Sequence, residues 1–466
     1  MAIESFNPYT GRVLRRFKPH TPAQVERMVA QADKAFREWR RTSFQERSRV
    51  LHRAAALLRE RQHELARLMT LEMGKPIKDG RGEVEKCALT CDFYAEHAEH
   101  MLADQVIETK ARRSFIAHEP LGVVLAVMPW NFPFWQAIRF AAPALMAGNV
   151  GLLKHASNVP QCALALETIF HDAGLPRAAF RTLLLESKDV EKLIEDDRVQ
   201  AVTLTGSEGA GSHVGAAAGR NIKKTVLELG GSDAFIVLAD ADLELAAKTA
   251  AQARMINAGQ SCIAAKRFIV EKPVAKEFIS QMKTHLLAMR GGDPMDEGTQ
   301  YGPLARPDLA DELTKQVQDS IKLGAKVELY GGQSEPGSAR FAPMMLSNLK
   351  PGMPAYDEEL FGPVASILIA RDEQHAIELA NDSRFGLGGA VWTRDEKRGE
   401  RVARQVESGA VFVNALVASS PEMPFGGIKK SGYGRELSHL GIREFVNQKS
   451  IWIGGDKPFD ARKKAE

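Results

Sequence analysis

Between residues 121 and 240, short apolar runs alternate with amphipathic stretches, and this alternation constrains the fold more than any other feature of the chain. The runs Val123–Met128, Gly151–Lys154, Phe180–Leu185, Val199–Thr205, Thr225–Leu229 and Ala234–Leu238 have the length of strands. Helical patterns at Pro160–Asp172 and Glu208–Gly219 fall between them. Strands joined by helical crossovers predict an α/β fold with a parallel, doubly wound sheet. The alternation resumes after residue 242, with helices near 242–256, 273–289, 305–323, 373–381 and 395–406. Strands are expected there at 266–271, 364–369 and 410–413. The chain therefore reads as two consecutive α/β domains. Their boundary lies near Gly230-Gly231, where a glycine pair suits a hinge.

The segment Thr21–Met73 is helical in pattern. Thr21-Pro22 reads as an N-cap followed by a first-turn proline. Ser43 to Glu46 reads as a capping box that opens a helix with Val50, Leu51, Ala54, Leu57 and Leu58 on one face. The arginines of this region alternate with glutamates, as on a solvated helix face. Residues 104–120 and the tail from about 440, with its strand-like Ser450–Ile453, fit neither domain and suit sheet edges awaiting a partner chain.

Composition excludes several function classes. A length of 466 residues allows two or three domains. Sixty-two Lys and Arg against 59 Asp and Glu leave a net charge of +3, too small for a nucleic-acid-binding protein. Four cysteines, at 87, 91, 162 and 262, exclude a disulfide scaffold and suit a reducing compartment. Cys87 and Cys91 lack a partner at metal spacing, so no metal site is expected. The N-terminus shows no secretory pattern. The longest apolar run, Leu121–Met128, is far below the ~20 residues that span a bilayer. A cytoplasmic enzyme that does not touch membranes is the expectation.

Three segments are unusual for plain core or loop. Pro129-Trp-Asn-Phe-Pro133 follows a buried strand and presents Asn131 at its carboxyl end, where open α/β sheets bind ligands. An amide there can donate to a developing oxyanion, or it can simply serve a rigid turn. Gly259-Gln-Ser-Cys262 places a thiol in a loop that a ligand can approach; alone, it reads more readily as a small buried hydrophobe. Glu228-Leu-Gly-Gly231 ends a strand on a carboxylate at the domain boundary, where partial burial would suit a general base. Thr205–Gly211 follows a strand and opens a helix, as a phosphate-binding turn does, although it is not the G-x-G-x-x-G fingerprint.

In this order the segments resemble the aldehyde dehydrogenase superfamily. The resemblance runs from Asn7-Pro-Tyr-Thr-Gly11 through Gly434-Arg-Glu436 and beyond. It is carried by PWNFP, GN…K, TGS, ELGG, GQSC, EELFGPV and PFGGIKKSGYGRE, and by the 34-residue step from Glu228 to Cys262. It implies a cofactor domain of residues 1–103 and 121–230, a catalytic domain of 231–436, and a small β oligomerisation element of 104–120 and 437–466. It further implies Cys262 as nucleophile, Asn131 and the Cys262 N–H as oxyanion hole, and Glu228 as general base. Lys154 would contact the adenosine ribose and Gly206-Ser207 the pyrophosphate. Glu359 would hold the nicotinamide ribose, with Phe361 and Trp130 beside the ring. The implied reaction oxidises a small aldehyde to an acid through a thiohemiacetal and a thioester on Cys262, in a homodimer or homotetramer.

Within the superfamily the chain resembles the shorter bacterial succinate-semialdehyde dehydrogenases, through Lys154-His-Ala-Ser-Asn158 and Glu436-Leu-Ser-His439. His155 stands where proline is commoner, and Ser157 where a glutamate is commoner. Without that carboxylate a 2′-phosphate meets no repulsion, so either NAD or NADP is implied as cofactor. Arg139 is the expected clamp for a substrate carboxylate, with Ser419 assisting. Glutarate semialdehyde and simple aliphatic aldehydes are the alternative substrates. A non-catalytic nicotinamide-binding relative is opposed by the joint presence of Cys262, Glu228 and Asn131. A cofactor-free thiol esterase would leave Lys154 and Glu359 without purpose. A CoA-acylating relative is opposed by Glu228, a base for water.

Overall fold

The computed structural model describes residues 3–454. The chain starts with a hairpin, β1 (Ile3–Asn7) and β2 (Arg12–Phe17), and four helices follow: α1 (Pro22–Trp39), α2 (Phe44–Glu60), α3 (Gln62–Met73) and α4 (Ile77–Met101). Both expected caps form. Thr21 closes a reciprocal box with Gln24 and Ser43 one with Glu46, satisfying amides that a helix start otherwise leaves open. Leu51, Ala54, Leu57 and Leu58 are buried on the face that the sequence pattern picks out, and Val50 packs at its margin. Arg47 departs from the expected solvated face. It is buried and donates to the carbonyls of Met146, Arg40 and Thr42, so it ties α2 to a loop end rather than facing water.

Next come β3 (Gln105–Val106), β4 (Arg113–Pro120) and the alternating series: β5 (Val123–Met128), α5 (Trp135–Met146), β6 (Val150–His155), α6 (Pro160–Asp172), β7 (Phe180–Thr182), β8 (Val199–Thr205) and β9 (Lys224–Glu228). Strands β9, β8, β5, β6 and β7 lie side by side and all parallel, with Gly432–Tyr433 added antiparallel outside β9. The chain winds outward from β5 in both directions, so the gap between the carboxyl ends of β5 and β8 is the switch point of the sheet. The expected strand Phe180–Leu185 stops at Thr182, where this edge strand runs out of pairing.

The second sheet has seven strands, in the order Lys326–Leu329, Met344–Ser347, Val364–Ala370, β11 (Arg267–Glu271), β10 (Ala234–Val237), Gly388–Trp392, Ala410–Val413. All are parallel except the first. Along β10, Ala234 and Ile236 enter one core and Phe235 and Val237 the other, as in a strand covered on both faces. Gly388–Trp392 was not expected as a strand, because a glycine pair reads as a turn. Here glycine gives room: a Cβ on Gly388 would overlap Asp233 Oδ2, while the Gly388 amide donates to Asp233 Oδ1 at 3.0 Å.

Gly230 and Gly231 do not behave as a conformational hinge. Neither has a left-handed φ. A Cβ on Gly230 would collide with Glu359 Oε2, and one on Gly231 would lie 2.7 Å from the Cys262 carbonyl, so close approach is what demands glycine. The two pieces that fitted neither domain pair with each other: Val446–Ile453 runs antiparallel to β4, which pairs with β3. Residues 437–445 differ from the expected oligomerisation segment. Leu437, Ile442 and Phe445 sit in the first core, and Asn149 Nδ2 donates to the Phe445 carbonyl at 2.9 Å. Residues 455–466 of that segment lie outside the described residues.

One buried ion pair positions the first sheet's ligand end. Lys75, before α4, and Glu83, within it, are in contact with side chains 1% and 3% exposed. Glu83 Oε1 accepts the amides of Phe134 and Trp135, both at 2.9 Å, and so caps α5. Lys75 Nζ also donates to the Asn131 carbonyl at 3.0 Å. Removing one member strands the other charge, typically at about 3–5 kcal/mol, whereas removing both is far milder. Glu83→Ala is therefore expected to lower the melting temperature by several degrees, and Lys75→Met/Glu83→Leu by much less; equal losses would contradict this role.

Candidate active site

The switch point opens on a cavity of about 280 Å³, lined by Trp130 and Asn131 after β5, Thr205 to Ser207 after β8, and Cys262, Glu359 and Phe361 from the second domain. Cys262 arrives on a strained loop. Asn257 and Ala258 have φ of 53° and 55° without being glycine, a conformation costing roughly 1–2 kcal/mol per residue. Hydrogen bonds hold it. Arg254 donates to the Gly259 carbonyl at 2.7 Å, and Lys266 Nζ donates to the carbonyls of Ser261 and Cys262, both at 2.7 Å. Gln260 accepts from the Ala305 amide and donates to the Asn257 carbonyl. The thiol is pushed up to about 12 by burial, with Lys266 and Arg139 pulling the other way.

Asn131 faces this loop in a fixed orientation. Gln136 Nε2 donates to its Oδ1 at 3.0 Å, so Nδ2 must carry the hydrogens; Nδ2 donates to the Gln260 carbonyl at 3.1 Å. One Nδ2 hydrogen remains for a ligand oxygen. Its main chain is gripped as well, with the carbonyl accepting from both Lys75 and Asn257. This is a pre-set donor beside a thiol, the arrangement an oxyanion hole needs.

Glu228 ends β9 fully buried, and neither carboxyl oxygen has a hydrogen-bond partner among the described residues. Burial, then the neighbouring Glu436, push its carboxyl well above the usual range. That shift favours the neutral form, so Glu228 can serve as a base only after giving up its proton. Burial also raises Glu436, against the pull of Arg139.

Arg139 is placed differently from the open fork that a substrate clamp requires. Its Nε faces the Glu436 carboxylate, Nη2 is 3.3 Å from Thr205 Oγ1, and its plane stacks over Phe425 at 4.5 Å. With a side chain 3% exposed, this guanidinium balances the buried carboxylates of Glu436 and Glu228. Ser419 lies elsewhere, accepting a hydrogen bond from Lys86 Nζ at 2.8 Å.

Of the expected cofactor residues, Trp130, Gly206, Ser207, Glu359 and Phe361 line the cavity that holds Cys262. Trp130 and Phe361 meet edge to face with ring centroids 5.8 Å apart. Ser207 caps the helix Glu208–Arg220, accepting from the Ala210 amide at 3.3 Å, and a Cβ on Gly209 would meet nothing within 4 Å. That open helix start fits a pyrophosphate. Lys154 is buried, with Nζ 3.5 Å from Ser187 Oγ and no carboxylate within ion-pair distance among the described residues. An uncompensated cation at a strand end fits a ribose or phosphate. Ser157 follows, with no acid in its place. His155 is neutral, lowered to about 4 by burial; Nδ1 accepts the Ala156 amide and Nε2–H donates to the Pro133 carbonyl, bracing the turn that carries Asn131. Glu359 Oε1 is engaged by the Gly231 amide and Lys266 Nζ, both at 3.1 Å, which couples the cofactor face to the cysteine loop. Among the described residues no cluster of His, Cys, Asp and Glu is arranged to hold a metal ion.

Sequence reasoning missed Lys75, Glu83, Gln136, Lys266 and the partner of Arg139. Lys75, Glu83 and Lys266 act on main-chain atoms and Arg139 on a carboxylate far along the chain, so no local pattern marks them. Gln136 alone had a signal, standing five residues after Asn131.

The model of the aldehyde dehydrogenase family matches residues 1–451. A Synechocystis protein named a probable succinate-semialdehyde dehydrogenase of the NADP(+) type is 53% identical over 455 residues, covering 97% of this chain and 100% of its own. A Mycobacterium avium succinate-semialdehyde dehydrogenase, also NADP(+), is 48% identical, with 99% and 98% covered. The crystal structure of succinic semialdehyde dehydrogenase from Streptococcus pyogenes with NADP+ superposes with a TM-score of 0.95 at 38% identity, covering 97% and 100%.

Two outcomes follow from this geometry. Asn131→Ala is expected to lower kcat by roughly 10²–10³ while cofactor affinity holds. Glu228 can act as a base only when deprotonated, and burial raises its carboxyl, so any base step that it serves at Cys262 should slow as pH falls. Glu228→Gln should flatten that profile in a rapid-mixing pH jump; a profile unchanged in the variant would assign the base elsewhere.

Proposed function

The chain belongs to the aldehyde dehydrogenase family, and from that premise we propose that it oxidises succinate semialdehyde to succinate, with NADP accepted as well as NAD. The observation that carries the catalytic assignment is the meeting of the Cys262 thiol and the pre-set Asn131 amide in one cavity, with the buried Glu228 ending the adjoining strand. The substrate assignment rests on relatives named for it at about half identity over nearly the whole chain.

In this reading the Cys262 thiol gives up its proton to solvent as its sulfur bonds to the aldehyde carbon and the carbonyl pair moves onto oxygen. The oxyanion of the resulting thiohemiacetal accepts from Asn131 Nδ2–H and the Cys262 N–H. A nicotinamide, when bound, would supply the hydride acceptor whose use leaves a thioester on Cys262. Glu228, once ionised, takes a proton from the water whose oxygen attacks that thioester, so the acid leaves and the sulfur regains a proton. Trp130, Phe361 and Glu359 would hold the nicotinamide end, Gly206 and Ser207 the pyrophosphate, and Lys154 the adenosine ribose. A homodimer or homotetramer is supported by the sheet of β3, β4 and Val446–Ile453, whose Val106 and Trp452 are 68% and 54% exposed. No helix among the described residues is long and apolar enough to cross a membrane; the cytoplasm suits an enzyme with four unpaired cysteines.

The test is a panel of aldehydes assayed with each cofactor by nicotinamide absorbance. Succinate semialdehyde should have the highest kcat/KM; a neutral aldehyde of equal length matching it would overturn the substrate assignment. Ser157→Glu restores the carboxylate that repels a 2′-phosphate and should raise KM for NADP at least tenfold over that for NAD.

A further inference from the structure

Lys266 stands immediately before β11 and grips the main chain of the cysteine loop. Its side chain is 1% exposed and its three ammonium hydrogens are all used. They go to the Ser261 and Cys262 carbonyls, each at 2.7 Å, and to Glu359 Oε1 at 3.1 Å. Successive carbonyls of an extended chain point to opposite sides. Their convergence on one ammonium therefore holds the turn that the chain makes at Cys262 and Ile263. The lysine is itself fixed from both sides. Its amide donates to the Asp233 carbonyl at 3.1 Å, beside β10, and its carbonyl accepts from the Ser366 amide at 2.9 Å, within Val364–Ala370.

One of the gripped carbonyls bears on the chemistry. The Ser261 C=O and the Cys262 N–H belong to a single peptide unit, and a trans peptide is planar with these two groups on opposite sides. That carbonyl accepts from Lys266 and from the Ala264 amide at 3.1 Å. The Cys262 N–H therefore points away from Lys266, and among the described residues it has no acceptor. Asn131 reaches the neighbouring Gln260 carbonyl, and both Asn131 and Cys262 line the cavity. A cation on a carbonyl also polarises its peptide, which makes the N–H at the far end a stronger donor.

We propose that Lys266 is a positioning residue for the oxyanion hole: by gripping the Ser261 carbonyl it aims the Cys262 N–H at the oxygen of the substrate carbonyl. This rests on the reading above, in which Cys262 is the nucleophile and its N–H and Asn131 receive the oxyanion. Lys266 acts through the peptide and not on the sulfur. Its loss should slow reactions that form an oxyanion more than those that do not. Misplacing such a group by about 1 Å can cost on the order of 10² in rate.

The experiment compares two reagents on Cys262 in the full-length protein without cofactor, so that the cofactor contact of Glu359 does not enter. With p-nitrophenyl acetate the sulfur bonds to the acetyl carbon, an oxyanion forms, and p-nitrophenolate leaves. With iodoacetamide the sulfur bonds to the methylene carbon as iodide leaves, and no oxyanion forms. In both the thiol proton passes to solvent, and mass spectrometry of the Cys262 peptide gives each rate. The ratio of acetylation to alkylation should fall at least tenfold in Lys266→Met, and also in Asn131→Ala, which removes the other donor. A fall in Asn131→Ala with an unchanged ratio in Lys266→Met overturns the positioning role alone. No fall in Asn131→Ala overturns the oxyanion reading beneath it. Should Lys266→Met not fold, Lys266→Gln takes its place. Neutral, shorter and with two amide hydrogens, it cannot hold both carbonyls and Glu359, so the ratio should again fall; an unchanged ratio overturns the proposal.

Discussion

The buried contact between Lys75 and Glu83 is the interaction on which the reacting centre depends. A charge pair withdrawn this far from water is held by its geometry, because each member has further partners that only this arrangement provides. Glu83 caps α5, and Lys75 holds the Asn131 carbonyl. The two therefore place Asn131, the proposed oxyanion donor, from its main chain, while Gln136 sets its amide. From the other side, Asn257 donates to the same carbonyl and Asn131 to that of Gln260, so the strained cysteine loop and the proline-bounded turn fix each other. Neither domain forms the site alone.

Burial then sets the resting protonation. Cys262 and Glu228 are both raised, which favours the uncharged form of each. The positive charges close to it are each committed. Lys266 faces carbonyls and Glu359; Arg139 faces Glu436. This arrangement keeps the thiol from being a permanently exposed thiolate, the form most open to oxidation.

Much of this was legible in the chain and some was not, for physical reasons. Both capping boxes, the parallel strands β5 and β8, and the helices Pro160–Asp172 and Glu373–Asn381 rest on local rules and appear as expected. The strand Gly388–Trp392 was hidden because Gly388 answers to Asp233, a residue far away in sequence. Arg47 and Arg139 carry the composition of surface residues, but their partners are carbonyls and a carboxylate brought in by tertiary folding. Motif order located Cys262, Asn131 and Glu228. Which carboxylate Arg139 meets is a question of pairing, and pairing is visible only in three dimensions.

The central claim is covalent turnover at Cys262 with Glu228 serving its hydrolysis. The most direct measurement is mass spectrometry of the Glu228→Gln protein sampled during steady-state turnover of succinate semialdehyde with NADP. The account predicts a succinyl thioester on the peptide that carries Cys262. An unmodified Cys262 in a variant that still produces NADPH at the wild-type rate would contradict it.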